Sequence, residues 1–303
     1  MKKINMRWML GAALAGAIAL SGCGGMAGGT NIAGVQTKTA EEYVQAAADA
    51  LQSAESFEAN FTAEISMDGS GAVSTGAKVT IQREPLQARV DIQHDFGNAS
   101  QASNIYLEEK DEAVNLYMNY DKQWTEMTLS PEDAMNHIRI YNTADNMVSL
   151  LSAAKDWQME DTEGNIVTVT AEIPSEKVYA VEENGKYFQL AGMSGLSEIY
   201  FQDIGALTAE FCFDWKTGQP ISYKIDFANA LESVTNNVLK ELNGIELDDD
   251  AVMDNGVVVE KYLISSEITQ LDDVENIEIP KAVKSDAINY EKEITLLEKG
   301  SNP

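Results

Sequence analysis

Phe57-Glu58-Ala59-Asn60-Phe61-Thr62-Ala63-Glu64-Ile65-Ser66-Met67 decides the fold. Apolar and polar side chains alternate without a break over these eleven positions. A period of two puts every apolar residue on one side of an extended chain, so the stretch predicts a long strand with one buried face. Just upstream the period is different. Thr39 can cap a helix, with Glu42 three residues on to complete a capping box. Tyr43, Val44, Ala47, Ala48 and Leu51 then recur at helical spacing to about Ala54.

Downstream, short alternating runs repeat at hairpin spacing: Val79 and Ile81, Leu86 to Ile92, Ile105 and Leu107, Leu116 to Tyr120, then a turn at Asp121-Lys122 towards Trp124. They predict an antiparallel meander with one apolar face. Ser130-Pro131-Glu132-Asp133 opens a helix with a hydroxyl cap, a proline in the first turn and acids beside the positive helix end. Thr143 is the expected cap of a second helix, whose Met147, Leu150, Leu151 and Ala154 form one apolar stripe. Strands are expected again at 166–173, around 207–213 and at 221–227, then a helix through Leu231 and Leu242 stopping at Gly244, a strand at 257–264 and a final edge at 272–280. Residues 175–205 carry no clear period. The expected class is α+β: a strongly curved antiparallel sheet, a half-barrel, with helices lidding one face.

The first 22 residues form a leader. Lys2, Lys3 and Arg7 precede an apolar, alanine-rich run that ends in Leu20-Ser21-Gly22-Cys23. A basic start, an apolar core and small residues closing on a cysteine look like a bacterial lipobox, in which the Cys23 thiol takes a diacylglyceryl group and becomes the mature N-terminus. Two acyl chains give stable anchoring, so the membrane is an expected partner and the domain faces outward from the cell membrane. Residues 23–36 read as a flexible tether, 37–280 as one domain and 281–303 as a charged, weakly ordered tail with some helical character.

The net charge is −28. Such a surface excludes binding of nucleic acid by charge. With Cys23 acylated, Cys212 has no partner for an internal disulfide, so an apolar core must hold the exported domain together.

Catalytic and metal motifs are scarce, and no cofactor, metal or catalytic residue is expected. His94 and His137 have no ligand spacing. Gly192-Met193-Ser194-Gly195 stops short of a nucleophile elbow. Asp161 to Glu172 mimics part of a calcium loop but has Ile166 where the turn needs glycine, and reads as a hairpin turn. Asp248-Asp249-Asp250 with Asp254 reads as a solvated acidic loop. Cys212 lies out of phase with Phe211 and Phe213 and reads as an inert, half-covered thiol.

What remains is the apolar surface. Phe61, Ile65, Met67, Ile81, Val90, Ile92, Leu116, Met118 and Tyr120 on the sheet, with Met147, Leu150 and Leu151 on the helices, either fill a solid core or line a cavity for a lipid-like ligand. Adaptable methionine on both surfaces leans towards a cavity.

This order of elements resembles the exported lipoprotein carriers of the LolA-like group, including the lipobox-bearing LppX and LprG kind. Local echoes are the strand-turn-Trp unit at 116–124, Asp214-Trp215-Lys216-Thr217-Gly218-Gln219-Pro220, and Val274-Glu275-Asn276-Ile277-Glu278-Ile279-Pro280, similar to a set of surface lipoproteins mostly from monoderm bacteria. The resemblance implies the half-barrel and a non-enzymatic carrier or sensor of an apolar ligand. The alternative is a protein–protein interaction or scaffold lipoprotein with a packed core.

Overall fold

In the computed structural model, residues 38–69, 71–120, 123–160, 163–243 and 256–289 are described. The chain builds one twelve-stranded sheet that does not close. Its first half is the expected meander: β1 (Ser56–Met67), β2 (Val73–Gln82), β3 (Gln87–Asp95), β4 (Ser100–Lys110), β5 (Ala113–Tyr120) and β6 (Gln123–Leu129). The second half contains β7 (Lys155–Met159), β8 (Ile166–Ile173), β9 (Leu207–Asp214), β10 (Pro220–Asp226), β11 (Val259–Leu271) and β12 (Ile288–Asn289). The spatial order is β12-β6-β5-β4-β3-β2-β1-β11-β10-β9-β8-β7. All pairings are antiparallel except β12 with β6. This is the expected α+β half-barrel, with β12 and β7 as its free edges.

The two halves join along β1 and β11. Phe57 pairs with Leu271 and Ile65 with Tyr262, and two bulges at 58–59 and 66–67 break the register. Bulges increase local twist and bend a strand, which suits the middle of a curved sheet. The inward side of β1 carries Phe57, Ala59, Phe61 and Ala63, all almost fully buried. Polar Glu58, Asn60, Thr62 and Glu64 face the other way, as the period-two pattern requires.

Five helices are α1 (Ala40–Ser53), α2 (Pro131–Ile138), α3 (Thr143–Ala153), α4 (Ser175–Gly185) and α5 (Ala228–Asn243). Their buried side chains join the inward residues of the sheet in one cluster. The Thr39–Glu42 capping box forms as expected: the Thr39 backbone N–H donates to Glu42 at 2.7 Å, and the Glu42 N–H donates to Thr39 Oγ1 at 3.2 Å. α1 is seated on the β9–β10 turn. Tyr43 donates its hydroxyl to the Trp215 carbonyl at 2.7 Å, and Lys38 Nζ donates to Thr217 O at 2.6 Å. Gly218 in that turn has φ +79°, and a Cβ there would sit 3.0 Å from the Ala46 Cβ. The Asp214–Pro220 motif is therefore a docking turn for the first helix.

Two expectations are corrected, the α3 cap and the 272–280 edge, and two open segments take shape. Asn142, not Thr143, caps α3; its side chain accepts from the Asp145 N–H. Thr143 is buried and its hydroxyl instead meets that of Ser266 at 2.6 Å. The ambiguous 175–205 region forms α4 and two 3₁₀ turns, Tyr187–Ala191 and Glu198–Phe201. No strand forms at 272–280. The chain leaves the sheet at Asp272, whose φ is +59° and whose carboxylate accepts the Glu55 N–H at 2.6 Å, so β11 ends there as a central strand. The tail shows the helical character expected of it in its first part, which is ordered against the sheet. α6 (Lys281–Asp286) packs Val283 against Tyr106 and Tyr117 on the outer face, Lys284 pairs with Glu108 at 2.7 Å, and β12 adds to β6. Two aromatic side chains on the outer face give that segment an apolar partner, which the segment's own charge pattern does not reveal.

Candidate functional site

The structure gathers most of the predicted cavity residues, and it packs them. Val90, Leu116, Met147 and Leu150 have no exposure; Phe61, Ile81 and Leu151 have almost none. Phe61 meets the Tyr141 ring edge-on at 5.3 Å, the geometry favoured by the ring quadrupoles. Ile65 and Ile92 are buried closer to one end of their strands, and Met67 and Met118 are half-buried against the same cluster. Tyr120 ends β5, and its side chain lies outside the described residues.

A buried polar seam runs through this apolar contact. Tyr187, Tyr223 and Tyr262 are all inaccessible. The Tyr262 hydroxyl donates to the Tyr187 carbonyl. Ser266 Oγ, besides meeting Thr143, donates to Asn60 O at 3.1 Å. Asn146 Nδ2 donates to the carbonyls of Arg139 and Ile140 at 3.1 and 3.0 Å. The Tyr223 hydroxyl lies near Tyr187 and Asn146 without completing a hydrogen bond to either. Glu182 is the one buried carboxylate among the described residues. It accepts the Phe188 N–H at 3.0 Å and so closes the turn from α4, through left-handed Lys186 (φ +54°), into the following 3₁₀ turn. Burial pushes its pKa up to about 8, against the opposing pull of the Phe188 N–H and Lys186. Burial likewise raises the Tyr141 phenol to about 12. Sequence reading missed the seam because its members lie far apart in the chain and each looks like an ordinary polar residue. The one available signal was Glu182 following Val178 and Val181 on a single helical face.

Accessible space lies at the rim. One cleft of about 590 Å³ opens between the end of α2, α3 and α4, lined by Met135, Arg139, Asn146, Val148, Lys177 and Val181 among others. A second, of about 550 Å³, lies between the β2–β3 turn and α2, where Ile81, Pro85, Leu86 and Pro131 provide apolar wall. Both clefts have Met135, Asn142 and Asp145 in their walls, so they adjoin. A third, of about 620 Å³, lies at the other end of the sheet beside Ile65 and Lys261.

The remaining sequence candidates do not converge. His94 Nδ1 pairs with Thr75 Oγ1 at 2.9 Å, and burial lowers its pKa, while His137 is exposed on α2. Cys212 faces Thr168 on the outer side of β9, half-buried. Glu163 bridges Ile166 in a tight β7–β8 turn, with Gly164 at φ +61°; Asp161 lies outside the described residues. The Gly192–Gly195 motif follows a 3₁₀ turn rather than a strand. Among the described residues no group of three His, Cys, Asp or Glu could hold a metal, and no helix is long and apolar enough to cross a membrane. Cys23 with its leader and tether, and the acidic loop at 248–254, lie outside the described residues.

No protein-family model matches the chain, and no curated protein matches it. Among solved structures, the chain is similar to LprF from Mycobacterium bovis at 10% identity and a TM-score of 0.45, covering 81% of this chain and 99% of that one. A beta-barrel-like protein of a domain of unknown function from Brucella abortus matches at 9% identity and a TM-score of 0.16, covering 73% of this chain and 99% of that one.

Proposed function

We propose that this protein is a lipid-anchored, extracytoplasmic, non-enzymatic carrier or sensor of an apolar, lipid-like ligand, which it takes up in the adjoining clefts beside α2. The carrying observation is that the two clefts share Met135, a flexible and polarizable side chain, in their walls, and that buried Ile81 contributes to the wall of one of them. Volumes of about 590 and 550 Å³ fall in the range of small-ligand sites. The lipobox supports the anchoring. Phe61, Val90, Leu116, Met147 and Leu150, expected from the sequence to line a cavity, are packed in the core instead.

Native mass spectrometry of the mature protein, released gently from membranes, should detect an apolar adduct that Met135→Trp lacks, because indole crowds the wall that the clefts share. Identical spectra for both proteins, or no adduct in either, would refute ligand uptake at this place. Anchoring is tested separately. Cys23→Ser removes the acylated thiol, so the protein should leave the membrane fraction or stall uncleaved; a mature, membrane-bound Cys23→Ser protein refutes the lipid anchor.

A second reading rests on the packed inner face. With Val90, Leu116, Met147 and Leu150 inaccessible, the domain also suits a rigid scaffold that presents a protein-binding surface.

A further inference from the structure

Charge is distributed unevenly between the two adjoining clefts. The chain carries 49 acidic and 21 basic residues, so a cationic cleft is unexpected on composition. Yet the α2–α3–α4 cleft has Arg139 and Lys177 in its wall, and neither forms an ion pair within 4 Å among the described residues. Its one carboxylate, Asp145, is already held by Arg83 at 2.7 Å and by Asn142 Nδ2 at 2.7 Å. Glu183, within the electrostatic reach of Arg139, is paired with Lys186. The cations therefore line the cleft without a close anionic partner, beside the neutral donors Asn184 and Ser149 and the apolar Val148 and Val181.

The adjoining cleft has the opposite character. Arg83 there is paired with Asp145, and Glu84 and Glu109 have no ion pair among the described residues, while Ile81, Pro85 and Leu86 supply apolar wall. An anion is repelled at that end and attracted at the other, and an alkyl chain is welcome at both.

Building on the carrier reading above, we infer that the ligand is an anionic amphiphile, a single carboxylate or phosphate head on an apolar chain. The head is held by Arg139 and Lys177, and the chain runs past Met135 towards Ile81 and Leu86. Charge sets the ligand's direction in the cleft, and the apolar wall supplies most of its affinity.

A photoactivatable long-chain fatty acid and the fatty alcohol of equal length test this on the full-length protein in its membrane, with labelled peptides identified by mass spectrometry. The acid should label peptides of α2 to α4 about tenfold more than the alcohol, the scale of two partly solvated charge contacts. The double variant Arg139→Gln/Lys177→Gln should lose that preference and still be labelled by the alcohol, which also shows that it is folded. Equal labelling by acid and alcohol in the unaltered protein, or a preference that survives the substitutions, overturns the anionic head and leaves the carrier reading standing. Absence of labelling at the clefts by either probe overturns both.

Discussion

Between pH 4.5 and 8 the folded protein should lose stability steadily, and Glu182→Gln should remove most of that loss. The folded state holds Glu182 protonated up to about pH 8, whereas in the unfolded chain the carboxyl ionises from its ordinary value of 4.5. Within this window the folded state binds the extra proton, so raising the pH favours unfolding. The linkage slope is about 1.4 kcal/mol per pH unit for one such group. Glutamine keeps an acceptor for the Phe188 N–H and cannot ionise, so the variant should match the parent at pH 5 and exceed it by several kcal/mol at pH 8. His94 acts in the other direction. Its lowered pKa means that protonation favours the unfolded chain, so its contribution improves with rising pH up to about 6.5. Because that term is common to both proteins, the difference between them isolates Glu182. Urea unfolding at pH 5, 6, 7 and 8 measures it. Parallel curves for the two proteins would show that Glu182 is solvated and that the α4 turn does not depend on its burial.

Phe61→Ala should cost about 3–5 kcal/mol, the range for emptying an aromatic from a tight core. Phe61 is 1% exposed at the centre of β1, between neighbours in β2 and β11, and it holds the Tyr141 edge contact. The measurement also tests whether the sheet–helix contact is packed. A side chain that lined a large void would leave few contacts behind, and its removal would cost little beyond transfer from water. A loss under about 1 kcal/mol would place an apolar void beside Phe61, inside the sheet–helix contact instead of at the rim. The full loss shows that the inner face is packed and holds no ligand space.

The sequence by itself determined most of the sheet. Period two in β1 and its successors dictates strands, because each strand meets the core with one face only, and that local rule needs no knowledge of partners. It also determined the start of α1 and α2, since the Thr39 and Ser130 caps satisfy N–H groups within the same turn. Tertiary structure decided what local rules cannot reach. β11 sits beside β1 across some two hundred positions, and only that pairing makes β11 central and turns the chain off the sheet at Asp272. Thr143 shows the limit within a single residue: a hydroxyl next to a helix start reads as a cap, but burial against Ser266 offered it a closer partner, and Asn142 took the cap. The candidate site divides the same way. Phe61, Leu116, Met147 and Leu150 were legible as apolar surface, yet whether such surface packs or encloses space depends on how helices settle on the sheet. The raised pKa of Glu182 and the meeting of Met135, Arg139 and Lys177 around one cleft arise only when α2, α3 and α4 come together, because desolvation and charge neighbourhood belong to three-dimensional position and leave no period in the chain.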